Sequence, residues 1–152
     1  MTARIIALID GSTYSKSICE NAAWIAKRTG ATVELVHVLG RRETASSDLS
    51  GTIALGARSS LLAELSSLDE ERARLAQKRG RAILEDAQAM LAEAGVEASM
   101  RLRNGDLLET VAEAEKQADI IVIGKRGEGA DFAKLHLGSN LERIVRSATR
   151  PV

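Results

Sequence analysis

The sequence predicts an open, doubly wound and mostly parallel α/β sheet with helices on both faces. Three observations predict it. Apolar runs too short for helices recur along the chain, stretches with helical spacing fill the intervals between them, and turn residues follow the runs. Two fully apolar strands joined by one short helical crossover imply parallel neighbours covered on both sides.

The first run, Arg4 to Ile9, ends in Asp10, Gly11 and Ser12 and reads as a buried strand. From about Ser15 to Thr29, Ile18, Ala22, Ile25 and Ala26 recur at helical spacing up to Gly30, and Thr32 to Val38 is a second strand. Leu39 to about Ser60 dissolves into Gly, Ser, Thr and charge, too long for an idle connection, and is expected to be a lid or partner surface. From about Leu61 to Ala94 the spacing predicts one long helix, with Leu68, Arg72, Leu75, Arg79 and Ala82 on one drifting face and Gly80 as a weak point in its middle. Gly95 caps it, Val96 to Leu102 alternates as a strand, and Asn104-Gly105 turns the chain. Asp106 with Glu109 forms a capping-box pattern that opens the next helix. Ala118 to Ile123 is the fourth buried strand, Gly124 to Leu137 a loop, and Ser139 to about Ala148 the last helix. Right-handed crossovers turn this order into a doubly wound sheet. A fifth apolar strand is expected after Arg150, where the sequence reads only Pro151-Val152, so the fifth strand looks truncated.

Composition narrows the function classes. The 152 residues suit one domain, and 21 basic side chains balance 21 acidic ones. With Tyr14, Trp24 and Phe132 as the only aromatics, there is little for phosphate-backbone attraction or base stacking, so no nucleic-acid partner is expected. The longest apolar runs fall short of a membrane span and no signal peptide opens the chain, which predicts no membrane partner and a cytoplasmic location. Cys19 is spaced like a core position of the first helix. His37 and His136 lack paired ligand spacing, and no metal site is predicted.

Open α/β sheets bind ligands beyond the carboxyl ends of their strands, which directs attention to Asp10 to Ser12, to Val38, and to the loop starting at Gly124. Gly124 and Gly127 flank Lys125 and Arg126, and after ten further residues Gly138-Ser139-Asn140 opens a helix. Glycines let backbone amides approach a phosphate, a helix start favours an anion, and Lys125 or Arg126 can add charge. Ser139 with Glu142 also reads as a capping box that merely starts a helix. The pairing with Gly124 and Gly127 is what a cap alone does not require. Neither a P-loop nor a dinucleotide fingerprint is present.

Asp10-Gly11-Ser12, Val36-His37-Val38 and the Gly124 to Asn140 loop together resemble universal stress proteins of the ATP-binding subgroup, and the resemblance covers essentially the whole chain. It implies a Rossmann-like, adenine nucleotide α-hydrolase-like fold in residues 1–152 and looks most like the N-terminal half of a two-domain member. It also implies ATP, ADP or AMP as ligand, with Mg²⁺ as a companion. Asp10 would contact the ribose or adenine side, Val38 would meet adenine through its backbone, Ser12 would stand behind them, and Gly124, Gly127, Gly138, Ser139 and Asn140 would hold ribose and phosphates, beside the charge of Lys125 or Arg126. The family pattern leaves nine residues before the third glycine, whereas this chain has ten. A homodimer, or pairing with a second stress domain, is implied as well. The expected role is a nucleotide-dependent stress or signalling module rather than an enzyme. A slow ATPase or autokinase built on Asp10 and Ser139, and a nucleotide-free dimerisation or docking domain, are the alternatives.

Overall fold

The computed structural model describes residues 2–40, 55–127 and 137–152. Along the chain run β1 (Arg4–Leu8), α1 (Ser15–Thr29), β2 (Thr32–Leu39), α2 (Leu55–Glu93), β3 (Ala98–Asn104), α3 (Leu107–Ala114) with a 3₁₀ turn at Glu115–Gln117, β4 (Ile120–Val122) and α4 (Ser139–Ser147). The strands form one parallel sheet in the order β3-β2-β1-β4. In register, Ile5 lies between Val33 and Ile120, and Ala7 between Leu35 and Val122.

Alternation along the strands divides the core in two. Ile5, Ala7, Val33 and Leu35 pack against Ile18, Cys19 and Ala22 of α1 and Leu84, Ala87 and Leu91 of α2. On the other face Ile6, Leu8, Val36 and Ile121 pack against Val111 and Ala114 of α3 and Ile144 of α4. The doubly wound α/β class is therefore what the chain adopts. At the more open β3, Arg101 Nε lies 3.0 Å from a carboxylate oxygen of Glu34 on β2, a cross-strand ion pair.

Several boundaries differ from the sequence reading. The long helix begins at Leu55 rather than near Leu61, because Gly56, Ser59 and Ser60 are weak helix formers that read as loop by composition. Residues 41–54 of the expected insert lie outside the described residues. The drifting face marked by Leu68, Arg72, Leu75 and Arg79 is exposed, and the buried stripe is Gly80, Leu84, Ala87 and Leu91. Gly80 is thus a packing position: a Cβ there would stand 2.8 Å from Leu102 Cδ1 and 3.0 Å from His37 Cδ2. β3 starts at Ala98 instead of Val96, because the Val96 N–H is engaged by the Leu91 carbonyl at 2.8 Å. That bond, with Gly95 at φ 80, completes a Schellman cap. Asp106 accepts from the Glu109 N–H at 3.1 Å, as the capping pattern predicts. At β4, the Ile121 N–H donates to the Pro151 carbonyl at 2.9 Å, so the residues after Arg150 run beside this edge strand. Among the described residues no helix is long and apolar enough to cross a membrane.

Candidate functional site

The strand order reverses at β1: the chain proceeds outward through β2 to β3, then returns to place β4 on the other side. The crevice beyond the carboxyl ends of β1 and β4 is where such sheets hold ligands. A cavity of about 530 Å³ opens there. Its wall includes Asp10 after β1, Val38 near the end of β2, Gly124, Arg126 and Gly127 after β4, and Gly138, Ser139 and Asn140 at the start of α4. Eight of the ten residues expected at the site converge.

Ser12 and Lys125 stand outside the cavity wall. The Ser12 N–H donates to Asp10 Oδ1 at 2.9 Å, and its hydroxyl accepts from the Tyr14 N–H at 3.3 Å. These bonds form the turn before α1 and hold the Asp10 carboxylate. The Lys125 ammonium sits 5.7 Å from the Tyr14 ring centroid, a cation–π distance. Its carbonyl accepts from the Gly138 N–H at 2.8 Å, closing the base of the loop.

Gly124 and Gly138 act through close approach. A Cβ on Gly138 would lie 3.1 Å from Arg126 Cα and 3.3 Å from the Lys125 carbonyl oxygen. On Gly127 it would meet Asp10 Oδ2 at 3.4 Å, and on Gly124 it would meet Tyr14 Cβ at 3.0 Å. Gly138 has φ −62 and ψ 141, which any residue adopts, so its requirement is space rather than backbone freedom.

The start of α4 departs from the capping-box reading. Gly138, not Ser139, is the N-cap, no side chain caps the helix, and Glu142 donates its backbone N–H to the Gly138 carbonyl at 3.1 Å. Ser139, Asn140 and Leu141, the first turn, face the cavity instead. An uncapped helix start presents N–H donors and a positive dipole end to that space.

His37 also lines the cavity, though it is 4% exposed. Its Nδ1 lies 2.6 Å from the Ile9 carbonyl oxygen. A carbonyl only accepts, so Nδ1 carries the proton and the ring is held as ordinary packing would hold it. His136 falls outside the described residues. Sequence reasoning missed Gly40, Gly105, Leu107 and Ile123 in the wall. The Asn104-Gly105 turn at the carboxyl end of β3 was the available signal for two of them.

An open parallel α/β sheet with a glycine-lined crevice at its switch point defines a Rossmann-like α/β domain. The model of the Universal stress protein family matches residues 1–152, and the chain belongs to that family. Universal stress protein Slr1230 of Synechocystis is 34% identical over 151 residues, covering 97% of this chain and 53% of that protein. The chain thus spans about half the length of that relative. Universal stress protein YxiE of Bacillus subtilis is 29% identical over 151 residues, covering 98% of this chain and 95% of that one. Among solved structures, a universal stress family protein from Burkholderia pseudomallei is 25% identical with a TM-score of 0.65, covering 99% and 92% of the two chains. Two others share the fold and were solved with nucleotides. The Archaeoglobus fulgidus universal stress protein with dAMP has 18% identity and a TM-score of 0.60, covering 100% and 95% of the chains. A universal stress protein with cAMP has 16% identity and a TM-score of 0.61, covering 99% and 94%.

Proposed function

We propose that this domain binds an adenine nucleotide, ATP foremost, in the crevice between β1 and β4, and acts as a nucleotide-dependent stress or signalling module. The observation that carries the reading is the meeting of Gly127, Gly138 and the uncapped start of α4 in one cavity wall. A cradle that a Cβ would crowd, facing helix N–H donors, suits a phosphate chain. Arg126 in the same wall adds positive charge. Val38 and Leu107 in the same wall give apolar surface for a purine, and Asp10, fixed by the Ser12 N–H, suits a ribose hydroxyl. The dAMP and cAMP complexes of fold neighbours support an adenine ligand. Asp10 would offer a single carboxylate to Mg²⁺ carried in by the phosphates.

Calorimetric titration with ATP and Mg²⁺ tests this, using nucleotide-free protein and a Gly127→Val, Gly138→Val double variant shown to be folded. Heat for the unmodified domain and none for the variant is the expected result. Equal heat in both, or none in either, overturns the assignment of the phosphate side.

A further inference from the structure

From Ser59 to Arg79 of α2 not one side chain is buried. Yet this stretch holds Leu61, Leu68 and Leu75, seven residues apart and 40%, 60% and 55% exposed. Three leucines at heptad spacing form a seam along a helix. It runs on a flank different from the Gly80, Leu84, Ala87 and Leu91 stripe that packs on the sheet.

Charge says what such a seam fits. Residues 64–71 contain four acidic side chains and no basic one, whereas residues 72–81 contain five basic and no acidic one. At 100° per residue the charges nearest the leucine line are Glu64 and Glu71 in the acidic half and Arg72, Lys78 and Arg79 in the basic half, all exposed. A parallel partner of the same sequence would set acid on acid. An antiparallel copy places the acidic half of each helix along the basic half of the other, with Leu68 against Leu75 of the second copy.

We infer that α2 is a self-docking surface on which a second copy of this chain pairs antiparallel through Leu61, Leu68 and Leu75, aligned by its divided charge. The paired stretch, Leu61 to Ala82, is about 33 Å long at 1.5 Å per residue. Three heptads with a leucine seam give a weak and reversible dimer. Attraction between exposed charges is screened by salt, so pairing weakens as salt rises. The inference is independent of nucleotide binding.

Sedimentation velocity of the whole chain over a concentration series, at low and high salt, tests it with three variants whose folding is checked by circular dichroism. Leu68→Ser with Leu75→Ser removes the seam. Glu64→Lys with Glu71→Lys makes the acidic half basic along the seam, and Arg72→Glu with Lys78→Glu and Arg79→Glu makes the basic half acidic there. The expected results are a salt-sensitive dimer in the unmodified chain and weakening by about tenfold or more in each variant alone. An equimolar mixture of the two charge variants should restore association. A monomer at every concentration overturns the inference. So does a dimer indifferent to all three variants, which would place the contact elsewhere, such as the sheet edge at β4.

Discussion

Gly80→Ala sets two effects of similar size against each other. In an isolated helix the change stabilises by about 1 kcal/mol. In this fold the new methyl would stand 2.8 Å from Leu102 Cδ1, 3.0 Å from His37 Cδ2 and 3.5 Å from Leu39 Cδ2. The Leu102 methyl ends a half-buried flexible side chain and can turn away. The His37 ring cannot, because it is buried and tied to the Ile9 carbonyl at 2.6 Å. Overpacking of this kind costs about 1–3 kcal/mol, so the net expectation is destabilisation by about 1 kcal/mol. For a domain of this size that lowers Tm by about 2–4 °C. Urea unfolding measures it, and the NMR signal of the His37 Nδ1–H reports whether the ring moved. A stabilised variant with an unshifted His37 signal would refute the claim that Gly80 is there for close packing.

Two further outcomes follow from buried side chains. Burial first, and the neighbouring Glu20 charge second, hold the Cys19 thiol above its ordinary pKa. The folded state therefore keeps this proton more tightly than the unfolded chain, so stability is unaffected in acid and falls as pH rises through the ordinary thiol range. Cys19→Ala is expected to flatten that alkaline fall in urea titrations; an unchanged slope would exclude the thiol as its source. Ile144 is the buried residue by which the described part of α4 docks, so Ile144→Ala is expected to cost about 2–5 kcal/mol and Ile144→Val about 0.5–1.5 kcal/mol. Loss of nucleotide heat in the folded alanine variant, with retention in the valine variant, would show that docking of α4 positions Ser139 and Asn140.

Strands buried on both faces were the most legible part of the sequence. Ile5 to Ile9 is apolar without interruption, and Val33 to Val38 is apolar apart from Glu34 and His37, because alternate residues meet different helical layers. The span of α1 was legible for a related reason, since Gly30 ends it at φ 70 in a conformation glycine adopts freely. The role of Gly80 was not, because its neighbours Leu102 and His37 come from β3 and β2 and local propensity carries no record of them. The site was legible where a turn signal coincided with a strand end, as at Asp10 and Gly124. At Ser139 the sequence left two readings open, a capping box or a place in the site, and the structure removes the first, since Gly138 is the cap and no side chain caps the helix. Only the tertiary fold shows that the start of α4 lies against Lys125 to Gly127, where a Cβ at position 138 would crowd the backbone.

That same contact bears on the spacing by which this chain departs from the family pattern it resembles. Ten residues separate Gly127 from Gly138 here, one more than the pattern has. If phosphate geometry were set by the length of the loop, the extra residue would disturb it. The ends of the loop are instead fixed to each other at its base, through the 2.8 Å bond from the Gly138 N–H to the Lys125 carbonyl and the close passage of Gly138 over Arg126 Cα. With both ends pinned, one added residue changes chain-closure entropy by about 0.1 kcal/mol. The donors proposed to hold phosphate belong to the pinned residues, Gly127 and the first turn of α4, and not to the span between them. Deleting one residue from that span is therefore expected to leave nucleotide affinity within about twofold, whereas Gly138→Ala, which acts at the base, is expected to weaken it by about tenfold or more. Calorimetric titration of the two variants under identical conditions decides the matter. A deletion that weakens binding more than the alanine does would mean that loop length, and not its pinned base, governs the site.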